Sequence, residues 1–292
     1  MRKESAIYRV FQGAALFSIL ISVLIVGSLV GEAFTFITNV DLAALLSPSG
    51  WFPRSGNFDV RTIFAGTMVV ALIAMVVAAP LGLGAAMYLS EYAKPRTRRW
   101  LKPILEILAG IPSVVLGFFA ITWINPEIIK TIWSDSTFFN LASAGVAVGI
   151  LVTPLVASVA EDSLRSVPMA MREASAGLGA RRRTTTLRVV VPGAVSGIMA
   201  ALILGISRAI GETMIVAIAA GGTGGAAFTL DPASQGQTMT AAMTALAVGS
   251  DRVRGADYAF QSLFFVGLLL FVMTLTLNVF SERFVRRVRQ RY

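Results

Sequence analysis

Apolar residues dominate this chain in long runs, and the runs are separated by short polar segments. Six stretches, roughly 12–36, 63–89, 104–124, 141–160, 195–220 and 259–280, are apolar over about the 20 residues that a membrane-crossing helix needs. The second run, IFAGTMVVALIAMVVAAPLGLGAAMYL, is nearly free of charge. Pro80 and Gly82 inside it would break a soluble helix, but in a membrane helix neighbouring segments satisfy the freed backbone groups. The first run extends from Val10 to about Ile37 with no clear cleavage site. It exceeds the apolar core of a signal peptide, roughly 7 to 15 residues, so it predicts a retained first span. Residues 38–61 are polar and rich in Gly, Pro and Ser, as an exposed loop would be. Residues 221–258 open with GGTGGAAF and continue into QGQTMTAAMTALAVGS, which predicts a short interfacial helix lying at the outer face.

Composition supports the same class. The 292 residues are 55% hydrophobic and 14% charged, with a mean hydropathy of +0.74. Soluble domains carry about 25% charged residues, so this chain cannot cover itself with polar surface. The fold class expected is an all-α integral membrane protein with six transmembrane helices. There is no Cys and no His, which removes disulfides, Cys nucleophiles, His general bases and almost all zinc and haem sites.

The net charge of +9 is explained by where the cations sit. The N-terminus, residues 91–103, residues 161–192 and the tail from Arg283 hold 19 of the 25 Lys and Arg. The other side holds 5: Arg54, Arg61, Lys130, Arg252 and Arg254. This bias places both termini and the two basic loops in the cytoplasm, which requires an even number of spans. Anionic membrane lipid is therefore the expected partner of the charge. Nucleic acid is not expected, because no binding module or set of stacking aromatics accompanies the cations.

The remaining cation, Arg208, lies inside the fifth apolar run, in the sequence RAIGET. Glu212 follows four residues later, so the two share one helix face and can pair. An ionised group at the bilayer centre costs about 2.5 to 3.5 kcal/mol on insertion scales. A buried ion pair can serve only to fix helix packing, yet such pairs are weak evidence for stability, and an apolar pair would pack as well. The other role is on a translocation path. There the planar, permanently charged guanidinium receives an oxyanion, and the glutamate keeps binding weak enough for release. Chemistry alone does not separate phosphate from sulfate or another oxyanion.

Several other features have a local explanation. Ser113, after Pro112, either shows a hydroxyl to the cavity or marks a packing kink. Glu106, near Lys102, is expected to stabilise the start of span three, and Glu32 to reach the interface. Gly145–Gly149 and Gly193–Gly197 allow close helix contact. GGTGG is either an anion nest of backbone amides or a flexible link, and it lacks the Lys-Ser/Thr ending of a nucleotide-binding loop.

The loop between spans four and five reads EDSLRSVPMAMREASAGLGARRRTTTLRVVVPGAVSG. Ser and Pro open a short helix, along which Met171, Ala174 and Leu178 are expected to share a stripe. Gly177 and Gly179 let the chain turn out of it. Such a helix, flanked by cations, can simply lie on lipid. Its spacing is more specific: Glu173-Ala174-Ser175, three residues, Gly179, nine residues, Val189, one residue, Val191-Pro192. It resembles the EAA loop of ABC-importer permeases, with Ser for the second Ala, Val for Ile and Val for Leu. AGIPSVVLGFFA (109–120), EDSLRSVP before the loop and SRAIGETMIV (207–216) narrow the resemblance to the phosphate-specific permeases, and to the first of their two sister subunits. It covers about residues 60–285.

That resemblance implies a type I ABC importer permease fold. Residues 1–60 would form the first helix and first outer loop, 61–285 the permease domain with its coupling loop at 161–192, and 286–292 a basic tail. It implies a bacterial plasma membrane location, a second permease subunit, two copies of a cytoplasmic ATPase, and an extracytoplasmic phosphate-binding protein. ATP and magnesium would sit on the ATPase, with no cofactor, metal or catalytic residue on this chain. Glu173, Ala174, Ser175, Gly179 and Pro192 would carry ATPase coupling. Glu173 would face ATPase cations or cap local backbone, Gly179 would permit the exit turn, and Ala174 and Ser175 would allow close approach. Arg208, Glu212 and Ser113 would line the substrate path. The sister subunit, or a permease for sulfate or molybdate, is the alternative. A stand-alone transporter does not account for the EAA-like loop. An intramembrane enzyme lacks His, Cys or paired Asp to work with.

Overall fold

A computed structural model describes residues 2–41, 43–222, 224–248 and 257–288. The predicted outer cations Arg252 and Arg254, and Arg289 and Arg291 of the tail, lie outside the described residues. Five helices are long and apolar enough to cross a membrane, and a sixth segment qualifies as a bent pair. They begin with α1 (Arg2–Asn39) and α2 (Val60–Met87), whose last turn widens over Tyr88–Tyr92. Between them the chain forms a small hairpin, β1 (Trp51–Phe52) with β2 (Asn57–Phe58), Trp51 opposite Phe58. Next come α3 (Pro95–Ala109), α4 (Ser113–Phe119), which continues with wide turns to Ile132, and α5 (Leu141–Arg165). The connecting helices are α6 (Met169–Gly177) and α7 (Arg182–Thr185). The chain then runs through α8 (Val195–Ile210), α9 (Met214–Ala219), α10 (Met239–Val248) and α11 (Ala259–Val288).

Local chemistry sets the starts of two of these helices. Asp59 caps α2, its carboxylate accepting the Arg61 amide at 3.1 Å and the Thr62 hydroxyl at 3.0 Å. Asn140 caps α5 by accepting the Ser143 amide at 2.7 Å, while its side-chain amide donates to Asn125 at 2.9 Å. The core is the α2–α5 contact, built from small residues. A Cβ at Gly145 would lie 2.7 Å from Ile73 Cβ, and one at Gly149 2.7 Å from Val77 Cβ. The Gly145–Gly149 pattern therefore packs two spans of one chain closely enough for dispersion to hold them, the force that remains between helices in lipid. Gly197 plays the same part against Ser163.

At the end away from the basic loops, the hairpin ties distant segments together. Trp51 is fully buried and exchanges backbone hydrogen bonds with Ala226 at 2.8 and 3.0 Å. Phe36 of α1 lies 5.1 Å from the rings of both Phe58 and Phe265. α1 otherwise leaves its apolar surface open, as a lipid-facing or partner-facing helix does.

Three expectations are corrected here. The third span does not start near residue 104. Gly110, Ile111 and Pro112 break the run, α3 is a separate helix with no buried residue, and the span is Ser113–Ile132. Hydropathy hides this break because α3 presents an apolar face up to it. Glu106 is consequently in the last turn of α3, not at a helix start, and Lys102 pairs with Glu161 and Asp162. α10 is not interfacial: Met239, Thr240, Ala241, Ala242 and Leu246 are buried. Its threonines find protein partners in place of water, Thr240 donating to the Glu212 carbonyl at 2.6 Å. Gly221, Gly222 and Gly225 are packed against Phe139, Gln237 and Phe52, so these three are not a loose link, while Gly224 has open space beside it.

Candidate functional site

The fifth apolar run is broken at the RAIGET sequence. α8 has 16 residues, about 24 Å at 1.5 Å per residue, which is short of the roughly 30 Å hydrocarbon core. Its last turn holds Arg208, Gly211 ends it, and α9 resumes at Met214. The predicted pair forms across this break. Arg208 Nη1 donates to Glu212 Oε2 at 2.5 Å. The carboxylate also receives the Ile215 amide at 3.5 Å, so its negative charge sits at the start of α9, where a helix favours an anion.

The two partners differ in exposure: the Glu212 side chain is 3% exposed and that of Arg208 43%. No further hydrogen bond from the Arg208 guanidinium is found among the described residues. The face from which it emerges also carries Leu204, Gly211 and Met214, all exposed. The arrangement is therefore a guanidinium anchored by a buried acid, with donors left over, on a face that is otherwise apolar. It can receive an anion without being free to swing away.

Ser113 is half-buried at the first position of α4. α4 packs on α9, Gly117 meeting Ile218, so the structure puts these two elements side by side. No hydrogen bond joins the Ser113 hydroxyl to Arg208 or Glu212 among the described residues.

At the basic end, α6 projects from the chain with no buried residue. Gly179 has φ +78°, a conformation that favours glycine, and it turns the chain out of the helix. The Ala180 amide closes the turn on the Ser175 carbonyl at 3.1 Å. Glu173 and Ala174 are exposed, and Leu178 is 90% exposed. Glu173 has neither an ion-pair nor a backbone-capping partner among the described residues. The expected stripe divides: Met171 packs inward on the Leu164–Val190 cluster, while Ala174 is exposed within the helix and Leu178 lies past its last residue. Ser175 also differs from expectation. It is half-buried and its hydroxyl meets that of Thr185 at 2.9 Å, tying α6 to α7 rather than opening the surface. Pro192 is exposed, just before a 71° bend between residues 182–193 and α8.

What holds α6 in place was not visible in the sequence. Arg172 donates to the Leu164 carbonyl at 2.8 Å, to the Val167 carbonyl and to Glu91 at 3.0 Å. One guanidinium thus fastens the projecting helix to the ends of α2 and α5. Beside it, Glu161 is buried at 1% exposure and binds Arg98 at 2.6 Å, Lys102 at 3.6 Å and Arg165 at 3.9 Å. Acids closing two apolar runs among basic loops were the only sequence signal for this cluster.

Comparison with known proteins gives a consistent result. The family described as "Binding-protein-dependent transport system inner membrane component" matches residues 78–292. A "Probable ABC transporter permease protein YqgH" of Bacillus subtilis is 30% identical over 243 residues, covering 82% of this chain and 77% of that protein. A "Phosphate transport system permease protein PstC 1" of Mycobacterium tuberculosis is 32% identical over 256 residues, covering 81% and 75%. Among solved structures, a bacterial ABC transporter involved in the import of the acidic polysaccharide alginate superposes with a TM-score of 0.64 at 15% identity, over 96% of this chain and 97% of that one. At that identity the likeness concerns the fold, an importer permease bundle.

Proposed function

The chain belongs to the family of binding-protein-dependent transport system inner membrane components, and from that premise we propose that it is one permease subunit of an ATP-driven phosphate importer. Half of the translocation path is then built by this chain and half by a sister subunit. The chemistry of ATP hydrolysis belongs to two cytoplasmic ATPase copies that carry ATP and magnesium. An extracytoplasmic binding protein delivers phosphate to the end that holds the Trp51 hairpin. The basic end, with both termini, faces the cytoplasm of a bacterial cell, in line with the cation bias.

The observation that carries this reading is the exposed guanidinium of Arg208 on an otherwise apolar membrane-spanning face. Facing lipid it would be costly. Facing a water-filled path between two subunits, it lowers the barrier for an anion, and Glu212 limits how tightly the anion is held. Coupling runs through α6, whose outward Glu173, Ala174 and Leu178 offer a compact knob to a groove on the ATPase. Movement of that knob passes through Arg172 to the ends of α2 and α5.

The test is reconstitution of this chain in liposomes with the subunits encoded beside it and a phosphate-loaded binding protein. Phosphate uptake that requires ATP, and is not competed by sulfate or molybdate, supports the reading. Uptake of sulfate or molybdate in preference assigns another oxyanion. Phosphate movement by this chain without ATP overturns coupling through α6.

A further inference from the structure

A cavity of about 1010 Å³ opens at the basic end between α3 and the α6–α7 segment. Six cations line it: Arg98, Arg99, Lys102, Arg165, Arg172 and Arg182. Four of them are already matched to acids. Glu161 takes Arg98, Lys102 and Arg165, and Glu91 takes Arg172. Arg99 and Arg182 have no ion pair with an acid among the described residues. Arg182 lies over the Tyr92 ring at 5.3 Å, a cation–π contact that uses none of the guanidinium's N–H donors in an ion pair. The acid Glu106 also lines the cavity, so the site is a cationic pocket with some internal neutralisation and not a bare positive patch.

Two further features define what fits. The walls include Leu89, Pro103 and Met169, so the lining is amphipathic. The cavity sits where α2 and α5 end. It is also separate from the outward face of the coupling helix. Arg172 and Ala176 line it, while the exposed Glu173, Ala174 and Leu178 do not.

We propose that this cavity binds a phosphate-bearing anion, held between Arg99 of α3 and Arg182 of α7. The ligand bridges α3 to the segment that carries the coupling helix. Two guanidinium groups present their donors in forks that match the oxygens of a phosphate monoester or diester. The source is either the headgroup of an anionic phospholipid or free phosphate at the basic end. In both cases an occupied cavity restrains α6 and α7 relative to α3. The inference rests on the cavity and its cations, and it is independent of which substrate crosses the membrane.

Hydrogen–deuterium exchange on the purified full-length chain, with the subunits that co-purify, tests it. One arm uses nanodiscs of phosphatidylcholine with and without phosphatidylglycerol. The other uses phosphatidylcholine alone with added inorganic phosphate. A ligand at ten times its dissociation constant suppresses the opening that releases it by about elevenfold. Slowed exchange of that order in residues 95–102 and 182–185 is expected in at least one arm. Slowing by phosphatidylglycerol alone assigns a lipid headgroup, and slowing by inorganic phosphate assigns a free anion. The Arg99→Ala/Arg182→Ala variant should lose the effect, and the Arg99→Lys/Arg182→Lys variant should keep part of it. Arg99→Gln alone, at an exposed position, replaces the alanine pair if that variant does not assemble. No slowing in either arm, or slowing that persists without the two arginines, overturns the proposal. Failure of phosphate transport would leave this result unchanged.

Discussion

Glu161 and Glu212 are both almost completely buried, at 1% and 3% exposure, yet their surroundings differ in kind. Glu161 closes α5 at the basic end with three cations around it, the nearest at 2.6 Å. Its charge is fully used within the chain. Glu212 has one cation, and that cation is 43% exposed with donors to spare. The first site is complete and holds α3 onto α5. The second is complete only on the acid side, and its open side faces out of the subunit. Burial of a charge therefore does not by itself mark a functional site. What separates the two is whether the partner still has bonding capacity directed away from the fold.

The largest effect should come from emptying the complete site. Glu161→Ala strands three cations around a cavity, and removing one partner of a buried pair costs about 3 kcal/mol when the other partners still reach water. Thermal unfolding of the purified chain should show a clear drop in midpoint, with less protein in the membrane. An unchanged midpoint would mean that Arg98 and Lys102 are held by other contacts. Next is Glu173→Lys at the exposed knob, which should leave the midpoint alone and abolish ATP-dependent phosphate uptake. Normal uptake at normal protein level would show that α6 does not couple.

The two acid sites differ in how much of each is legible in the sequence. The EAA-like spacing located α6, and Gly179 adopts the left-handed turn which that spacing required. The four-residue separation of Arg208 and Glu212 gave their ion pair. These are local relations, although Glu212 lies past the end of α8, so the pair spans a break and does not share one helix face as expected. Glu161 with Arg98, and Arg172 with Glu91, are 63 and 81 residues apart. A single sequence does not say which spans are neighbours, so those partners could not be named. The break before Ser113 was missed for another reason. The residues from Ile104 to Ile111 are apolar apart from Glu106, and hydropathy continues smoothly into the next run while Gly110 and Pro112 interrupt the backbone. α10 was misplaced because its threonines resemble interfacial residues until their buried acceptors are known.

At the open site, exchanging the charges separates packing from transport. In Arg208→Glu/Glu212→Arg an ion pair between the same positions persists, so the protein level should recover relative to either single change. Uptake should not recover, because the exposed group is now an anion. Full uptake by the exchanged chain would reduce the pair to a packing device. Neutralising both with Arg208→Gln/Glu212→Gln keeps a hydrogen bond across the break and removes the field. A charge-assisted bond contributes about 1.5 to 3 kcal/mol, so uptake at limiting phosphate should fall by at least about tenfold.

The smallest and most specific change is Arg208→Lys. The ammonium retains the charge and still reaches Glu212, so assembly and the midpoint of unfolding should match the parent chain. What it loses is the fork. A lysine paired with Glu212 offers a compact point charge, whereas the guanidinium can donate to Glu212 on one edge and to a second oxyanion on another. If the leftover donors of Arg208 serve the substrate, uptake should drop by about fivefold, roughly 1 kcal/mol in barrier, with the loss greatest at low phosphate. If only the charge matters, Arg208→Lys transports as well as the parent, while the neutral and the charge-exchanged double variants are impaired. In that outcome the asymmetry between Glu161 and Glu212 is one of electrostatic field and not of bonding capacity.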